Sequence, residues 1–186
     1  MPVPDASGSS DDRAAAAAAV ELVEEVEVDG TVLRVVSRAE MRSRRLRHRC
    51  TYIAVVDTAG QLVVHQRAAW KDVWPSRWDL AFGGVVGVGE PWDVAARREL
   101  AEEAGIDAPL EPLGTGPVTY DDAEVHVLGQ AYLAHHDGPF TFPDGEVVAS
   151  DRVPLADLDA WLTTHQTCPD AVTLVAPHLR RLGGHG

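Results

Sequence analysis

Gly84-Val85-Val86-Gly87-Val88-Gly89-Glu90-Pro91-Trp92-Asp93-Val94-Ala95-Ala96-Arg97-Arg98-Glu99-Leu100-Ala101-Glu102-Glu103-Ala104-Gly105-Ile106 is the stretch on which the reading of this chain turns. Its early glycines let the backbone bend sharply and approach another group closely. Pro91 suits the first turn of a helix, and Gly105 stands where a left-handed cap is wanted, so a helix is predicted from Pro91 to Ala104. On it Glu99, Glu102 and Glu103 stand at i, i+3 and i+4 and share one face. Val94, Leu100, Ala101 and Ala104 fall roughly opposite and are expected to anchor the helix in a core. Like charges at this spacing destabilise a helix by roughly a few tenths of a kcal/mol per pair. A divalent cation removes that penalty, and hard carboxylate oxygens suit Mg²⁺ or Mn²⁺. For three glutamates alone, the plainer alternative is an acidic face turned to water.

The wider spacing narrows the choice. It runs Gly84, five residues, Glu90, seven residues, Arg98-Glu99-Leu100, one residue, Glu102-Glu103, one residue, Gly105-Ile106. Such a set of fixed identities arises by chance on the order of once in a million chains of this length, or less often. The pattern resembles the Nudix box of the Nudix hydrolase family at every defining position. The resemblance implies an α+β fold, an α/β/α sandwich in which helices flank a mixed β-sheet, over roughly residues 21–165. It also implies hydrolysis of a diphosphate linked to another moiety, often a nucleoside, with Mg²⁺ as cofactor and Mn²⁺ as substitute. By the same resemblance Glu99, Glu102 and Glu103 bind the metal, and Glu102 or Glu103 serves as general base. Arg98 orients a glutamate, and Glu90 braces the loop onto the helix. The chemistry agrees: attack on a phosphorus shielded by negative oxygens needs that charge offset and a water positioned and deprotonated.

Working outward, His48-Arg49-Cys50-Thr51-Tyr52, Gln66-Arg67-Ala68, Lys71 and Trp74-Pro75-Ser76-Arg77-Trp78 are similar to the branch of the superfamily shared with isopentenyl-diphosphate isomerase. In that branch basic residues matching Arg67 and Lys71 contact the substrate diphosphate; ordinary surface charge is the other reading. Trp74, Trp78 and Tyr120 are candidates to stack a base or line a pocket, although buried aromatics are usually core. The isomerase needs a cysteine and a metal-binding histidine just before the box. Asp79-Leu80-Ala81-Phe82-Gly83-Gly84-Val85 has neither. His48 matches an isomerase metal ligand, but a lone histidine beside a strand is more often structural. Glu146, in Asp144-Gly145-Glu146-Val147, sits on a late loop where Nudix enzymes often place a further metal ligand or base, and Glu124 is a second candidate. Cys50 reads as a small core residue.

Period-two alternation predicts a strand from Glu21 to Val28, a turn at Asp29-Gly30 and a return strand Val32 to Val36. Ser37 with Glu40 has the spacing of a capping box, so a short helix is expected to about Leu46. Arg38, Arg42, Arg44, Arg45, Arg47 and Arg49 crowd into it and its exit. They could guide a polyphosphate or an acidic partner, or simply offset neighbouring carboxylates, and the last reading is preferred. Further strands are expected at Tyr52 to Val56, Leu62 to His65, 114–120, 124–134 and Val147 to Val153. Two closing helices are expected at Leu155 to Thr164 and Pro169 to Leu182, the second interrupted by Pro177. The organisation read from this is a flexible tail over 1–19, one domain over 20–182 that includes the hairpin and basic helix 21–47, and a loose end at 183–186.

Composition bounds the partners. The chain has 186 residues, 45% hydrophobic, with 29 acidic against 16 basic side chains and a net charge of −13. It should repel nucleic acid and anionic membranes. No apolar run approaches the roughly 20 residues that span a bilayer. Two cysteines, Cys50 and Cys168, do not make a secreted disulfide scaffold. Asp5, Asp11 and Asp12 ahead of Ala14 to Ala19 have the wrong sign for an export signal, so a cytoplasmic enzyme is expected. Its expected partner is a small diphosphate, with the N-terminal hairpin a candidate homodimer surface. The function expected is Mg²⁺-dependent pyrophosphohydrolysis of a nucleoside diphosphate linked to another moiety. The alternatives are an isomerase-like enzyme of isoprenoid diphosphates and a catalytically idle, nucleotide-sensing module. The intact carboxylate set favours hydrolysis.

Overall fold

Side-chain alternation along one strand sets the layers. In β3 (His48–Val56), Tyr52, Ala54 and Val56 enter one apolar cluster while Ile53 and Val55 enter another. A strand presents successive residues to opposite faces, so a strand buried along its length needs cover on both sides. The computed structural model describes residues 19–184. Residues 1–18 of the tail expected over 1–19, and residues 185–186 of the expected loose end, lie outside that range.

β1 (Leu22–Val26) and β2 (Val32–Ser37) form the expected antiparallel hairpin, with a register shift at Glu25/Val26. β3 reaches back to His48, four residues before the expected start at Tyr52. It pairs antiparallel with β4 (Gln61–Arg67) and parallel with β7 (His126–His135). β4 also pairs with β5 (Trp78–Asp79) and β8 (Val147–Pro154), while β6 (Glu111–Asp121) lies antiparallel on β7. Among the described residues the result is one mixed eight-stranded sheet.

Helices cover both faces, as expected. α2 (Trp92–Ala104) places Ala96, Leu100 and Ala104 on Ile53, Val55 and Phe82. The opposite face is closed by a 3₁₀ turn (Leu155–Asp157), α3 (Leu158–Thr164), α4 (Pro169–Leu174) and α5 (Ala176–Gly183), through Leu158, Ala171, Leu174 and Leu179. The break in the last helical stretch falls at Val175, not Pro177. Proline is tolerated in a first helical turn, where its missing N–H would have no partner, so the chain breaks just ahead of it.

A third cluster ties the hairpin to the glycine loop. Val23, Val36 and Met41 pack with Val85, and Met41 belongs to α1 (Arg38–Ser43). Ser37 Oγ accepts the Glu40 N–H at 3.1 Å, half of the expected capping box. The Glu40 carboxylate turns to Arg34 and Arg44 instead of back to the cap.

One buried histidine links this core to acid stability. His65 is fully buried and stacked on Phe82 at 4.5 Å, and burial lowers its pKa from 6.5 to about 3. Between those values the unfolded chain takes up a proton that the folded chain refuses, so stability falls as pH falls through that window. The slope contributed approaches about 1.4 kcal/mol per pH unit. His65→Leu is therefore expected to flatten the loss of stability between pH 6.5 and 4.5, measured by urea unfolding. Parallel wild-type and variant curves would show that His65 does not set the slope.

Candidate active site

The glycine loop is zipped onto the central strand. Ile53 and Phe82 exchange backbone hydrogen bonds of 2.7 and 2.9 Å, Thr51 N–H reaches Gly84 O at 2.9 Å, and Val86 N–H reaches Arg49 O at 3.0 Å. Gly83 runs here at φ +141°, and a side chain on it would overlap the Thr51 carbonyl oxygen. From the loop the chain enters α2 with Pro91 at the cap position, one place earlier than expected. It leaves through Gly105 in the left-handed conformation, as expected.

The buried arc of α2 departs from expectation. Ala95, Ala96, Leu100, Glu103 and Ala104 are buried, whereas Val94 and Ala101 are exposed. At about 100° per residue, Glu103 falls in the middle of that arc, and Val94 and Ala101 fall on the far side. The carboxylate face therefore adjoins the core instead of opposing it.

This places the three glutamates in three environments. Glu103 is buried, and its Oε2 accepts the Gly83 N–H at 2.8 Å. Burial, reinforced by the charge of Glu99, raises its pKa well above the ordinary carboxylate range. The Glu99 side chain is 12% exposed, and burial pushes it up to about 7 against the opposing pull of Arg98. Glu102 is 55% exposed. Arg98 spans them, with Nη1 donating to Glu99 at 2.7 Å and Glu102 at 3.0 Å. Its Nε and Nη2 both donate to Glu90 at 3.0 Å, and Glu90 accepts the Gly87 N–H at 2.8 Å. Arg98 thus bridges Glu90, Glu99 and Glu102, and Glu90 links it to the glycine loop.

A cavity of about 290 Å³ opens beside these groups. Glu99, Glu102, Glu103, Arg98 and Glu146 all line it, and so do Arg67, Lys71 and Trp74. The Lys71 ammonium is hydrogen-bonded to Glu146. The Arg67 guanidinium donates to Val73 O at 3.2 and 3.3 Å and lies 3.5 Å from Asp79. Trp78 is not at the cavity; its ring packs edge-on against Trp161 and His165, because β5 turns it toward the C-terminal helices. Tyr120 donates to Asp122 at 2.6 Å, and Glu124 is exposed on the turn before β7, both away from the cavity.

Several lining residues escaped the sequence reading. Asp144 stands with Glu103 and Glu146 so that one ligand oxygen from each lies within 4.8 Å of the others, and these hard donors suit a divalent cation. Its signal was present two places before Glu146. Asp170, which accepts the Tyr52 hydroxyl at 3.0 Å, and buried Asp79, raised by burial to about 6, come from distant segments with no local pattern. Cys50, read as core, lies on the wall, its thiol pushed up to about 12 by burial. His48 is buried beside it, its Nδ1 2.9 Å from Leu46 O, and burial holds it neutral with a pKa lowered to about 3. The basic cluster mostly offsets carboxylates, as preferred: Arg44 pairs with Glu40, Arg45 with Asp121, Arg47 with Glu27 and Arg49 with Glu24.

The family model of the NUDIX domain matches residues 46–170. The chain is 45% identical over 167 residues to the uncharacterized Nudix hydrolase PA4841 of Pseudomonas aeruginosa, covering 88% of this chain and 96% of that one. It is 33% identical over 164 residues to YfcD of Escherichia coli, covering 88% and 89%. Among solved structures, DR0079 of Deinococcus radiodurans superposes with a TM-score of 0.70 at 21% identity, over 87% of this chain and 98% of that one. The NUDIX domain of Shewanella oneidensis NrtR, complexed with ADP ribose, superposes with a TM-score of 0.59 at 18% identity, over 79% and 99%. These two likenesses bear on the fold.

Proposed function

We propose, from the premise that this chain belongs to the Nudix hydrolase family, that it hydrolyses the diphosphate bridge of a nucleoside diphosphate linked to a further moiety and requires Mg²⁺ or Mn²⁺. The observation that carries this reading is Glu103, a carboxylate buried beside two others at the mouth of a cavity that also presents Lys71 and Arg67. Glu103, whose burial already favours the neutral acid, is a poor neighbour for two further negative charges and a good one for them with a cation. Glu103, Asp144 and Glu146 would hold one ion, and Glu99 with Glu102 stands ready for another. When bound there, such an ion supplies Lewis acidity that offsets the charge on the diphosphate oxygens.

The chain's own groups supply the rest. The Gly83 N–H fixes Glu103 by one oxygen, and its other oxygen, beside Asp144 and Glu146, would either hold the ion or take a proton from an attacking water. Arg98 fixes the carboxylate of Glu99 with a charge-assisted hydrogen bond. Lys71 and Arg67 place positive charge where a diphosphate enters, in keeping with the likeness of these positions to the isomerase branch. Trp74 offers a face for the linked moiety.

The test is cleavage of nucleoside diphosphates, sugar nucleotides, dinucleoside polyphosphates and coenzymes, followed by chromatography of the nucleoside monophosphate and its partner phosphate, with and without Mg²⁺. Metal-dependent cleavage of at least one class is expected. Binding without cleavage across the panel would identify an idle module, and interconversion of allylic diphosphates without cleavage would identify an isomerase.

Gly84→Ala separates the site from the fold. Gly84 is not in the left-handed region, and a Cβ there would lie 2.6 Å from Glu99 Oε2, the far end of a flexible side chain. The carboxylate can swing away, so the stability cost is expected to stay near 1 kcal/mol. Turnover is expected to fall about tenfold or more, because catalytic carboxylates tolerate little displacement. Unchanged turnover would mean that the position of Glu99 is immaterial.

A further inference from the structure

The matched domain begins at residue 46, yet the cavity wall does not. Arg38 and Arg42, on α1, line it together with His48 and Lys71. Cluster packing of Val23, Val36 and Met41 against Val85 holds α1 in that place.

Two features set these arginines apart from the rest of the basic cluster. First, their carboxylate partners are weaker holders than they look. Arg38 lies 3.1 Å from Glu21 and Arg42 lies 3.0 Å from Asp72. The arginine side chains are 19% and 22% exposed, but Glu21 and Asp72 are 40% and 43% exposed. Ion pairs with a solvated partner contribute little, so a dianionic group delivered to the buried side can compete for the same guanidinium groups. Second, the wall carries unmet donors. Arg38 Nε, which lies 3.9 Å from the Asp72 carboxylate, and the indole Nε1 of Trp74 are both buried without a hydrogen-bond acceptor, and both residues line this cavity. Buried N–H groups are almost always paired in folded proteins, so two orphans on one wall point to an acceptor-rich ligand. Trp74 and Ser76 also hold left-handed backbone, at φ 52° and 60°, in the loop that brings Trp74 there.

The place of these cations defines what they can touch. Arg42 Nη1 sits 3.4 Å from His48 Nε2 at the start of β3. Thr51, three residues on, is bonded to Gly84, against which the Glu99 carboxylate lies. At about 3.3 Å per residue, the Arg42 end is roughly 10 Å along the strand from the glutamate end. A single diphosphate does not span that distance, whereas a nucleotide does.

We propose that Arg38 and Arg42 form a second anion subsite, which takes a phosphate carried by the substrate away from the scissile bridge and so selects phosphorylated nucleotides. The proposal deepens the hydrolase reading and rests on it.

The test compares substrates that differ by one phosphate: ADP-ribose with its 2′-phosphate, and NADH with NADPH, each with Mg²⁺. The 186-residue chain is expected to show a kcat/KM at least tenfold higher for the phosphorylated member. Arg42→Gln and Arg38→Gln are expected to bring that ratio close to one, mainly through KM, and Arg42→Lys to restore part of it. A purely structural role would depress both members alike and leave the ratio standing. A wild-type ratio near one, with both members turned over, would overturn the subsite and leave the hydrolase reading intact. Absence of turnover of every panel compound with Mg²⁺ or Mn²⁺ would instead overturn the hydrolase reading. The subsite is then judged by calorimetry on the same pairs. Affinity at least tenfold higher for the phosphorylated member, lost in Arg42→Gln, supports it; equal affinities or no binding overturn it.

Discussion

Glu103→Gln is expected to lower Mg²⁺-dependent turnover by about a thousandfold, within the range of roughly 10² to 10⁴ that a positioned general base contributes. Glutamine has nearly the same shape, and its amide oxygen can still accept the Gly83 N–H that Glu103 accepts at 2.8 Å. The fold should therefore survive, which makes turnover a clean readout. Stability gives a second readout, with a definite sign. Burial raises the folded-state pKa of Glu103 above its unfolded value. Its stabilising contribution is thus complete at pH values below the unfolded pKa and is lost as pH rises toward the folded one. In EDTA at pH 8 the variant should melt at or above the temperature of the wild type. Added Mg²⁺ should raise the wild-type melting temperature and move the variant much less. Turnover within threefold of wild type would remove Glu103 from the mechanism.

The second large effect is on folding. Gly83→Ala is expected to cost more than about 3 kcal/mol, a fall in melting temperature on the order of 10 °C. The added Cβ would overlap the Thr51 carbonyl oxygen and lie 2.8 Å from its carbon, at a backbone φ of +141°. Both obstacles are backbone, so no side-chain rotation relieves them. The loop must part from β3, which breaks the Ile53–Phe82 and Thr51–Gly84 hydrogen bonds. Gly60→Ala and Gly145→Ala are the controls. They share a positive φ but have nothing within 4 Å, and should cost about 1 kcal/mol each. Equal losses at all three positions would show that conformation alone, not the packing of the loop on β3, constrains Gly83.

What could be read beforehand was whatever is written locally. The apolar run at Tyr52 to Val56, the Asp29-Gly30 turn, the carboxylate spacing and Gly105 as a cap each depend on a few neighbouring residues, and each corresponds to an observed element. What could not be read depends on which segments meet. β5 is a two-residue strand that exists only because β4 and the segment around Thr167 lie beside it. Asp144, Asp79 and Asp170 reach the cavity from three separate places, and no spacing announces that. Trp78 is locally indistinguishable from Trp74, and only the direction of β5 sends one ring to the C-terminal helices and leaves the other at the cavity. The misreading of Val94 and Ala101 is angular. Treating the glutamates as a surface stripe put the core opposite them, whereas Glu103 occupies the centre of the buried arc.

The parallel register of β3 with β7, from His48 opposite Val127 to Val56 opposite His135, governs the order in which the molecule can be made. The two hairpins and α2 close over short stretches of chain, but β3 must wait for a strand synthesised long after it, and distant pairings form slowly. The bed of α2 includes Tyr132 and Ala134 of that late strand. A nascent chain released before residue 126 therefore carries every glutamate of the box and no working cleft. It exposes the apolar side of α2 to whatever chaperone attends it on the ribosome.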